Sequence, residues 1–451
     1  MLRINKVLII LVLLAAPVVR AAEDRYEVQF GRTLNYRGGR VSVDHRFGPV
    51  TVRTEPGNNV TVRATIRASD PAFGQKIRIK AVEEGNGVSV RTEFPEERII
   101  IRSGESSYSV DLRITVPPQA TLRLTNRFGS IDAEGIGASE ITNSHGSIRL
   151  RDTRGNQVVE NAFGSVDVQD AAGDISIVNS NASVRAVTIA GALNISNRFG
   201  SVSVNDVARR VVVKNSNGTV DVRETDGPVS ITNSFSNTKV STIKGAVEVL
   251  SQNGRVEVAT VGAPVSVRNS FGAVDAKEIA GSLTVNNANG NVSAKEINGD
   301  LIVETRFGTA RGDTIRGAAR ITNANGAVNL TGVTKDARVR TSFSSVFLKE
   351  IGGAIDVQNE NGAVSVTDLA PPAGGCRPIA VRTTFSSIKL ELPAGSSYTV
   401  NASTSFGHIK SDLPITTRSL GEESVSGTIG RGGACKLELS NTNGNITIDR
   451  D

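Results

Sequence analysis

The strongest constraint in this sequence is a repeat that returns every 18 residues. A Phe followed by Gly or Ser recurs every 36 residues, and an Asn recurs midway between successive Phe residues. Twelve such units follow one another without insertion or deletion, beginning at Phe163, Asn181, Phe199, Asn217, Phe235, Asn253, Phe271, Asn289, Phe307, Asn325, Phe343 and Asn361. Phe128 and His145 extend the register upstream with a one-residue adjustment. The pattern predicts a stack of identical structural units.

Each unit contains two short alternations of apolar and polar residues. Counted from the Phe or Asn, positions 4, 6, 13 and 15 are apolar, as in Val166, Val168, Ile175 and Ile177. Gly is common at positions 2 and 11, where backbone dihedrals or crowding would penalise a Cβ. Such alternation is typical of strands with one buried face, and stacked units would bury that face and pair the backbone groups. We predict an all-β fold, a parallel β-solenoid with 18-residue coils, capped by irregular β regions at both ends.

Stacking would place equivalent positions of successive coils in columns about 4.8 Å apart. We interpret the Phe residues of position 1 as core residues that fill a corner of the coil. Position 17 is Asn in most units, which predicts a ladder in which each amide bonds to the one above and below. A 36-residue coil is the alternative, but its wide interior would lack large side chains to fill it. The apolar spacing does not follow a six-residue period, which favours a right-handed coil.

The two ends of the chain depart from the repeat. Residues 1–22 have two basic residues, Arg3 and Lys6, before an apolar run and a small-residue end, which is the layout of a signal peptide. We predict an N-terminal β region over 23–120, the solenoid over 121–370 and a C-terminal β cap over 371–451. No second apolar run is long enough for a membrane span, so none is expected after removal of the signal.

The charge and the cysteine content of the chain limit which partners and which cellular compartment are expected. Removing the signal lowers the formal charge from +6 to +3, because three basic residues leave with it. No cluster of Lys and Arg is present to bind a phosphate backbone, so nucleic acid is not an expected partner. The two cysteines, Cys376 and Cys435, are expected to form a disulfide in an exported protein. Two unconnected thiols are the alternative.

The chain resembles a bacterial family of exported proteins known as putative adhesins, which carry a domain of unknown function. The resemblance rests on "ITVPPQATLRLTNRFGSIDA", "VNASTSFGHIKSDLP" and "SGTIGRGGACKLELSNTNGNITI". It implies a right-handed β-helix-like solenoid outside the cytoplasm. It transfers no catalytic residue to this sequence.

One column of acidic residues could bind a cation. Position 8 is acidic in several units, and stacking would pair Asp206 with Glu224 and Glu278 with Glu296. Paired carboxylates suit a hard cation such as calcium. Lysines precede some of these acids, and an acid beside a turn commonly accepts backbone N–H bonds. We therefore predict no metal site and retain these four residues only as weak candidates.

We find no pattern that indicates catalysis or a cofactor. The three histidines, His45, His145 and His408, lie at or near turns and are interpreted as polar corner residues. Trp is absent, the four Tyr lie outside the regular array, and the Phe residues are interpreted as core. The sequence therefore predicts no aromatic platform for sugars.

Three functions are compatible with these features. The first is a non-enzymatic scaffold that binds an envelope polysaccharide or a protein surface, located in the periplasm, on the cell surface or in the medium. The second is a sensor or regulatory partner in envelope stress, and the third is a carbohydrate-active enzyme on a β-helix. The uninterrupted units favour the first function over the third, because catalytic sites usually lie on loops.

Overall fold

The computed structural model describes residues 26–95, 107–369, 376–421 and 423–451. Within them lie 43 β-strands and one four-residue helix, α1 (Pro71–Gly74). The predicted signal peptide lies outside the described residues. The described part of the chain holds no helix that is long and apolar enough to cross a bilayer.

The N-terminal strands are β1 (Tyr26–Asn35), β2 (Arg40–Asp44), β3 (Val50–Thr54), β4 (Asn59–Ala68), β5 (Arg78–Glu84), β6 (Gly87–Glu93), β7 (Tyr108–Val116), β8 (Thr121–Phe128) and β9 (Ile131–Glu134). The repeat strands are β10 (Ser139–His145), β11 (Ile148–Thr153), β12 (Gln157–Phe163), β13 (Val166–Ala171), β14 (Ile175–Asn181), β15 (Val184–Ile189), β16 (Leu193–Phe199), β17 (Val202–Val207), β18 (Val211–Asn217), β19 (Val220–Thr225), β20 (Val229–Phe235), β21 (Thr238–Ile243), β22 (Val247–Asn253), β23 (Val256–Val261), β24 (Val265–Phe271), β25 (Val274–Ile279), β26 (Leu283–Asn289), β27 (Val292–Ile297), β28 (Leu301–Phe307), β29 (Ala310–Ile315), β30 (Ala319–Asn325), β31 (Val328–Val333), β32 (Ala337–Phe343), β33 (Val346–Ile351), β34 (Ile355–Asn361) and β35 (Val364–Thr367). The C-terminal strands are β36 (Ile379–Phe385), β37 (Ile388–Leu392), β38 (Tyr398–Phe406), β39 (Ile409–Ser411), β40 (Ile415–Leu420), β41 (Ser424–Ile429), β42 (Lys436–Asn443) and β43 (Ile446–Arg450).

Two parallel sheets face each other along the solenoid. The odd-numbered repeat strands form sheet A and the even-numbered ones form sheet B, and each strand pairs with the equivalent strand of the next coil. In sheet B, Val265 aligns with Leu283, and in sheet A, Val274 aligns with Val292. Both pairs are 18 residues apart, as they are throughout the repeat. The predicted parallel β-solenoid with 18-residue coils is confirmed, while the handedness of its coil stays a prediction.

The core is a thin layer between the two sheets. In the coil from 265 to 279, the residues at positions 13, 15, 4, 6 and 9 are buried, namely Val265, Val267, Val274, Ala276 and Ile279. Each column of such residues continues through most of the stack as Val, Ile, Leu or Ala, with exceptions such as Thr225, Thr238 and Gly312. Alternating side chains therefore bury one face of every strand, which is the physical reason that these short strands are stable only when stacked.

Position 8 interrupts the alternation on sheet A. Its non-Gly residues adopt left-handed dihedrals with φ between 51° and 59°, namely Asp152, Asp170, Thr188, Asp206, Glu224, Thr242, Thr260, Glu278, Glu296, Thr314, Glu350 and Asp368. Positions 7 and 8 are therefore both outside, and position 9 turns inward. Because of this kink, position 9 is a further buried apolar residue, and the strand of sheet A ends there.

Both ends of the stack are built from coils that are out of chain order. At the N-terminal end, β2 lies between β8 and β6, and β3 lies between β9 and β7. At the C-terminal end, β42 lies between β36 and β38, and β43 lies between β37 and β39. Antiparallel partners then cover the outer strands, as β4 does for β7 and β41 does for β38. These irregular ends agree with the predicted caps; the domain boundaries at 120 and 370 stay predictions.

Candidate functional site

A row of phenylalanine rings projects from one edge of the solenoid. Their residues are 44–73% exposed, and they are Phe163, Phe199, Phe235, Phe271, Phe307, Phe343, Phe385 and Phe406. We call these eight residues the ring ladder. Successive rings lie two coils apart, or about 9–10 Å at ordinary strand spacing. The interpretation of the repeat Phe residues as core is therefore wrong, and the prediction that no aromatic platform for sugars is present loses the burial on which it rested.

The rings face outward because the alternation of buried and exposed residues breaks at the turn between the sheets. In β24, Val265, Val267 and Asn269 point inward, but Ser270 is half-buried and Phe271 is exposed. Gly272 follows with φ 120°, in the region that favours glycine, and leads the chain to sheet A. Strict alternation would have placed Phe271 inside. The presence of Asn in every second coil does not reveal this change, because Asn also fills the buried column of position 17.

The Asn residues of the same column lie between successive rings. Asn181 donates its Nδ2 to the carbonyl of Ala162 at 3.1 Å, and Asn289 donates to the carbonyl of Ser270 at 3.4 Å. Each amide is thus tied to the coil below and lies half-buried. The edge therefore alternates an apolar ring with a polar amide at every step.

The N-terminal end of the edge has a different arrangement, in which rings stack without a gap. Phe47, Phe128, His145 and Phe163 form a continuous stack with centroid distances of 5.2, 4.8 and 4.9 Å. The guanidinium of Arg127 lies 5.4 Å from the centroid of the Phe128 ring, which is a cation–π contact. Adjacent coils can therefore both carry a ring in this column.

The C-terminal end keeps the alternation although the chain order is broken. Asn361 aligns with Phe385, Phe385 aligns with Asn443, and Asn443 aligns with Phe406. The spatial order is thus Asn, Phe, Asn, Phe, whereas the chain order places both Phe residues before Asn443. The alternation of Phe and Asn therefore follows the spatial order of the coils, and duplication of a 36-residue unit does not explain it alone.

The Asn residues of position 17 have a structural role beneath the ring ladder. They are buried, and in most coils the Nδ2 spans two turns, as in Asn287, which donates to the carbonyls of Gly272 and Gly290 at 3.1 and 3.0 Å. Among the described residues, amide-to-amide bonds within this column occur only from Asn179 to Asn197 and from Asn197 to Asn215. The predicted ladder of amides bonded to each other is therefore wrong for most coils. The amides hold the turns that carry the rings.

The acidic residues of position 8 lie on the opposite edge of sheet A and are exposed. Asp206 and Glu224 lie in adjacent coils, as do Glu278 and Glu296, in the column that was predicted. Glu278 accepts a hydrogen bond of 2.6 Å from the Thr260 hydroxyl, which together with Lys277 lowers the pKa of its carboxyl.

Lysines accompany this acidic column. The ammonium of Lys277 lies 3.6 Å from Glu278, and that of Lys295 lies 3.6 Å from Glu296. In the described residues, three acids come within ligand distance of one another only at Asp368, Glu391 and Asp451. The four weak metal candidates do not form such a group of three.

The remaining titratable candidates lie in the end caps. His45 is 2% exposed, with its Nδ1 2.8 Å from the Thr92 hydroxyl, and burial lowers its pKa to about 4. His45 thus lies at the turn between β2 and β3, but it is buried and not on the surface of that corner. Arg377 is buried, its Nε donates to the Gly352 carbonyl at 3.3 Å, and burial lowers its pKa. Beside it, the structure joins Cys376 to Cys435, with their Cα atoms 5.3 Å apart.

The fold and this edge define a parallel β-solenoid that displays regularly spaced aromatic rings. A family model described as Toastrack DUF4097 matches residues 272–449. The match confirms, over those residues, the family resemblance predicted from the sequence.

Two solved structures are similar to the chain. One is a putative cell adhesion protein from Clostridium sporogenes, with 8% identity and a TM-score of 0.18, covering 94% of this chain and 100% of its own. The other is a putative adhesin from Parabacteroides distasonis, with 10% identity and a TM-score of 0.21, covering 68% of this chain and 98% of its own. The comparison with curated proteins gives no significant match.

Proposed function

We propose that the chain is an exported, non-enzymatic scaffold that adheres to a surface of the cell envelope through the ring ladder. The single observation that carries this proposal is the row of eight rings, each about half exposed or more, on one edge of the solenoid. Exposed apolar side chains that line up on one surface mark interaction sites. Among the roles compatible with such a rod, an adhesin or envelope-associated binding protein fits this edge best.

Rigidity of the edge supports a binding role. Each ring of the repeat lies at the end of a strand that is hydrogen-bonded to strands on both sides, as β24 is to β22 and β26. Buried Asn amides fix the turn beneath it, as Asn269 does for Gly272 at 3.2 Å. A surface held in its binding conformation loses little freedom on association, so more of the contact energy remains as affinity.

The architecture also supports a scaffold rather than an enzyme. The strands from Ser139 to Thr367 follow one another with turns of only a few residues, so no long loop rises from this part of the solenoid. Functional groups for catalysis are usually carried on such loops. The two strongly buried titratable groups noted above, His45 and Arg377, lie in opposite end caps.

We further propose that the mature protein begins near residue 23 and lies in the periplasm, on the cell surface or in the medium. The signal-like segment 1–22 and the Cys376–Cys435 pair support export, because disulfides persist in oxidising compartments. Cell fractionation with an antibody against the protein tests this part. Recovery from the cytoplasm alone, with residues 1–22 retained, would contradict it.

Adhesion is tested by the binding of purified protein to isolated cell envelopes, peptidoglycan sacculi and extracellular-matrix proteins. The ladder variant replaces every repeat ring by Asn, the residue that the same column already holds in alternate coils: Phe163→Asn, Phe199→Asn, Phe235→Asn, Phe271→Asn, Phe307→Asn and Phe343→Asn. The matched control is Phe347→Asn, which removes a ring 49% exposed on the outer face of sheet A.

We expect the wild type and the control to bind at least one of these surfaces and the ladder variant to lose most of that binding. Circular dichroism verifies that all three proteins keep their strand content. Equal binding by the ladder variant, no binding to any surface, or turnover of a glycan by the wild type would overturn the proposal.

A further inference from the structure

We infer that the ligand of the ring ladder is an extended, neutral, β-linked polysaccharide that lies lengthwise along the edge. This inference rests on the proposed function, because it names the chemical class that the same surface binds. Three independent features of the edge carry it: the spacing of the rings, the groups between them and the charge beside them.

The spacing indicates a ligand that is itself periodic. Packing does not force the two-coil interval, since Phe128, His145 and Phe163 stack in adjacent coils with centroids 4.8 and 4.9 Å apart. The interval is nevertheless kept at the C-terminal end, where Asn443 inserts between Phe385 and Phe406 against the chain order. Even steps of about 9–10 Å match a polymer with a constant repeat. A folded protein is instead bound through a compact cluster of central anchors.

The alternation of ring and amide suits the two-sided chemistry of a sugar chain. A pyranose presents C–H bonds on its flat face, and these make favourable apolar contacts with exposed aromatic rings. Its hydroxyls lie at the rim and need hydrogen-bond partners. Between rings, Asn181 and Asn289 each use an Nδ2 hydrogen on a backbone carbonyl, and their half-buried side chains still face the edge. An extended β-linked disaccharide is comparable in length to two coils.

The charge beside the ladder favours a neutral polymer. The column that follows the turn glycine consists mainly of small, uncharged residues such as Ser165, Ser183, Ser201 and Thr219, and Arg255 is its single charged member between 165 and 363. A polyanion such as nucleic acid is bound through rows of Lys and Arg. The residues just before the column of rings and amides include Arg198, whose guanidinium lies 5.4 Å from the centroid of the Phe199 ring, and also Arg306 and Glu360, but they form no row of cations. The rest of the edge has hydroxyls and amides, which are the groups that pair with sugar hydroxyls.

The test is calorimetry of the purified full chain with cellohexaose and chitohexaose, together with their disaccharides and with insoluble cellulose and chitin. We expect the hexasaccharide of at least one of these glycans to bind and its disaccharide to bind at least about tenfold more weakly, because each further ring contact contributes roughly three- to tenfold. The ladder variant should lose at least about tenfold in affinity for that hexasaccharide, whereas Phe347→Asn should leave the affinity unchanged.

The outcomes separate this inference from the proposed function. If neither hexasaccharide nor either polymer binds, while envelopes still bind in a ladder-dependent way, the inference is wrong and the proposed function stands. If envelopes and glycans both fail to bind, both are wrong. If light scattering shows a dimer of the wild type that the ladder variant abolishes, and glycans do not bind, the ladder contacts a second copy and the inference is overturned.

Discussion

At the scale of single residues, the turn after each ring explains the glycine of position 2. Gly272 has φ 120°, and a Cβ built on it would lie 2.2 Å from the carbonyl oxygen of Gly254 in the preceding coil. Both the dihedral and the close approach therefore require glycine. Ser344 occupies the same column with φ 108°, so the chain tolerates a side chain there in some coils.

We predict that Gly272→Ala lowers the free energy of unfolding by at least about 2 kcal/mol, because it adds a strained dihedral and a backbone clash. The matched change Ser344→Gly relieves strain in the same column and should leave stability equal or higher. Urea unfolding followed by circular dichroism measures both. If Gly272→Ala left the free energy of unfolding unchanged, the turn would accommodate the added Cβ without a loss of stability, which would contradict this prediction.

His45 makes the N-terminal end sensitive to acid. Its pKa is about 4 in the folded protein, against an ordinary value of 6.5, because burial disfavours the charged ring. The unfolded state therefore binds more protons between these two values, so the stabilisation is complete above pH 6.5 and is lost as pH falls towards 4. The full effect is up to about 3 kcal/mol.

We expect hydrogen exchange of β2 and β3 to accelerate between pH 6.5 and 4.5, after correction for the intrinsic rate. The variant His45→Gln should flatten this dependence, whereas His145→Gln, which changes an exposed ring, should not. If His45→Gln showed the same acid dependence as the wild type, titratable groups other than His45 would be its cause.

At the scale of single elements, the regular strands were predictable and the directions of two positions were not. The 18-residue period and the alternation of Val166 and Val168 predict the strands and their stacking, because two short strands per unit bury their apolar faces only when the units stack. The outward turn at Phe271 and the left-handed residue at Glu278 break the alternation, and each break shifts the side chains that follow. Dihedral changes of this kind are set by coil closure, which is a tertiary property.

The buried Asn of position 17 is the element that fixes each turn. Asn287 bridges two turn carbonyls, whereas Thr341 occupies the same column with its hydroxyl unpaired among the described residues. We predict that Asn287→Thr destabilises its coil by about 1–3 kcal/mol, since buried carbonyls lose their donor. The reciprocal change Thr341→Asn should stabilise its own coil. Local hydrogen exchange in β26 and β32 measures both, and equal exchange in all three proteins would contradict the bridging role.

At the scale of the whole molecule, the ends distinguish this solenoid from a simple stack. The insertion of β42 between β36 and β38 could not be predicted from the sequence, because pairing out of chain order leaves no local periodicity. The disulfide links Cys376, just before β36, to Cys435, just before β42. It therefore joins the coil of β36 to the strand inserted beside it, β42.

Removing this link should loosen the C-terminal end selectively. We predict that Cys376→Ser with Cys435→Ser lowers the stability of β42 and β43 by up to about 4 kcal/mol, the loop-entropy value for a closed loop of this length. Limited proteolysis should then release the C-terminal segment first, while β1 to β9 keep their protection. Unchanged protease resistance at the C-terminal end would contradict the prediction that the disulfide stabilises β42 and β43.

The spacing of the rings is the central claim, and one composition-matched variant tests it directly. This variant exchanges three ring positions with the preceding Asn, so that six rings remain but lie in adjacent pairs: Asn181→Phe with Phe199→Asn, Asn253→Phe with Phe271→Asn, and Asn325→Phe with Phe343→Asn. The account predicts that binding of cellohexaose and chitohexaose by calorimetry falls at least about tenfold, although the exposed aromatic content is unchanged. Binding equal to that of the wild type would show that apolar surface alone is sufficient and would contradict the account.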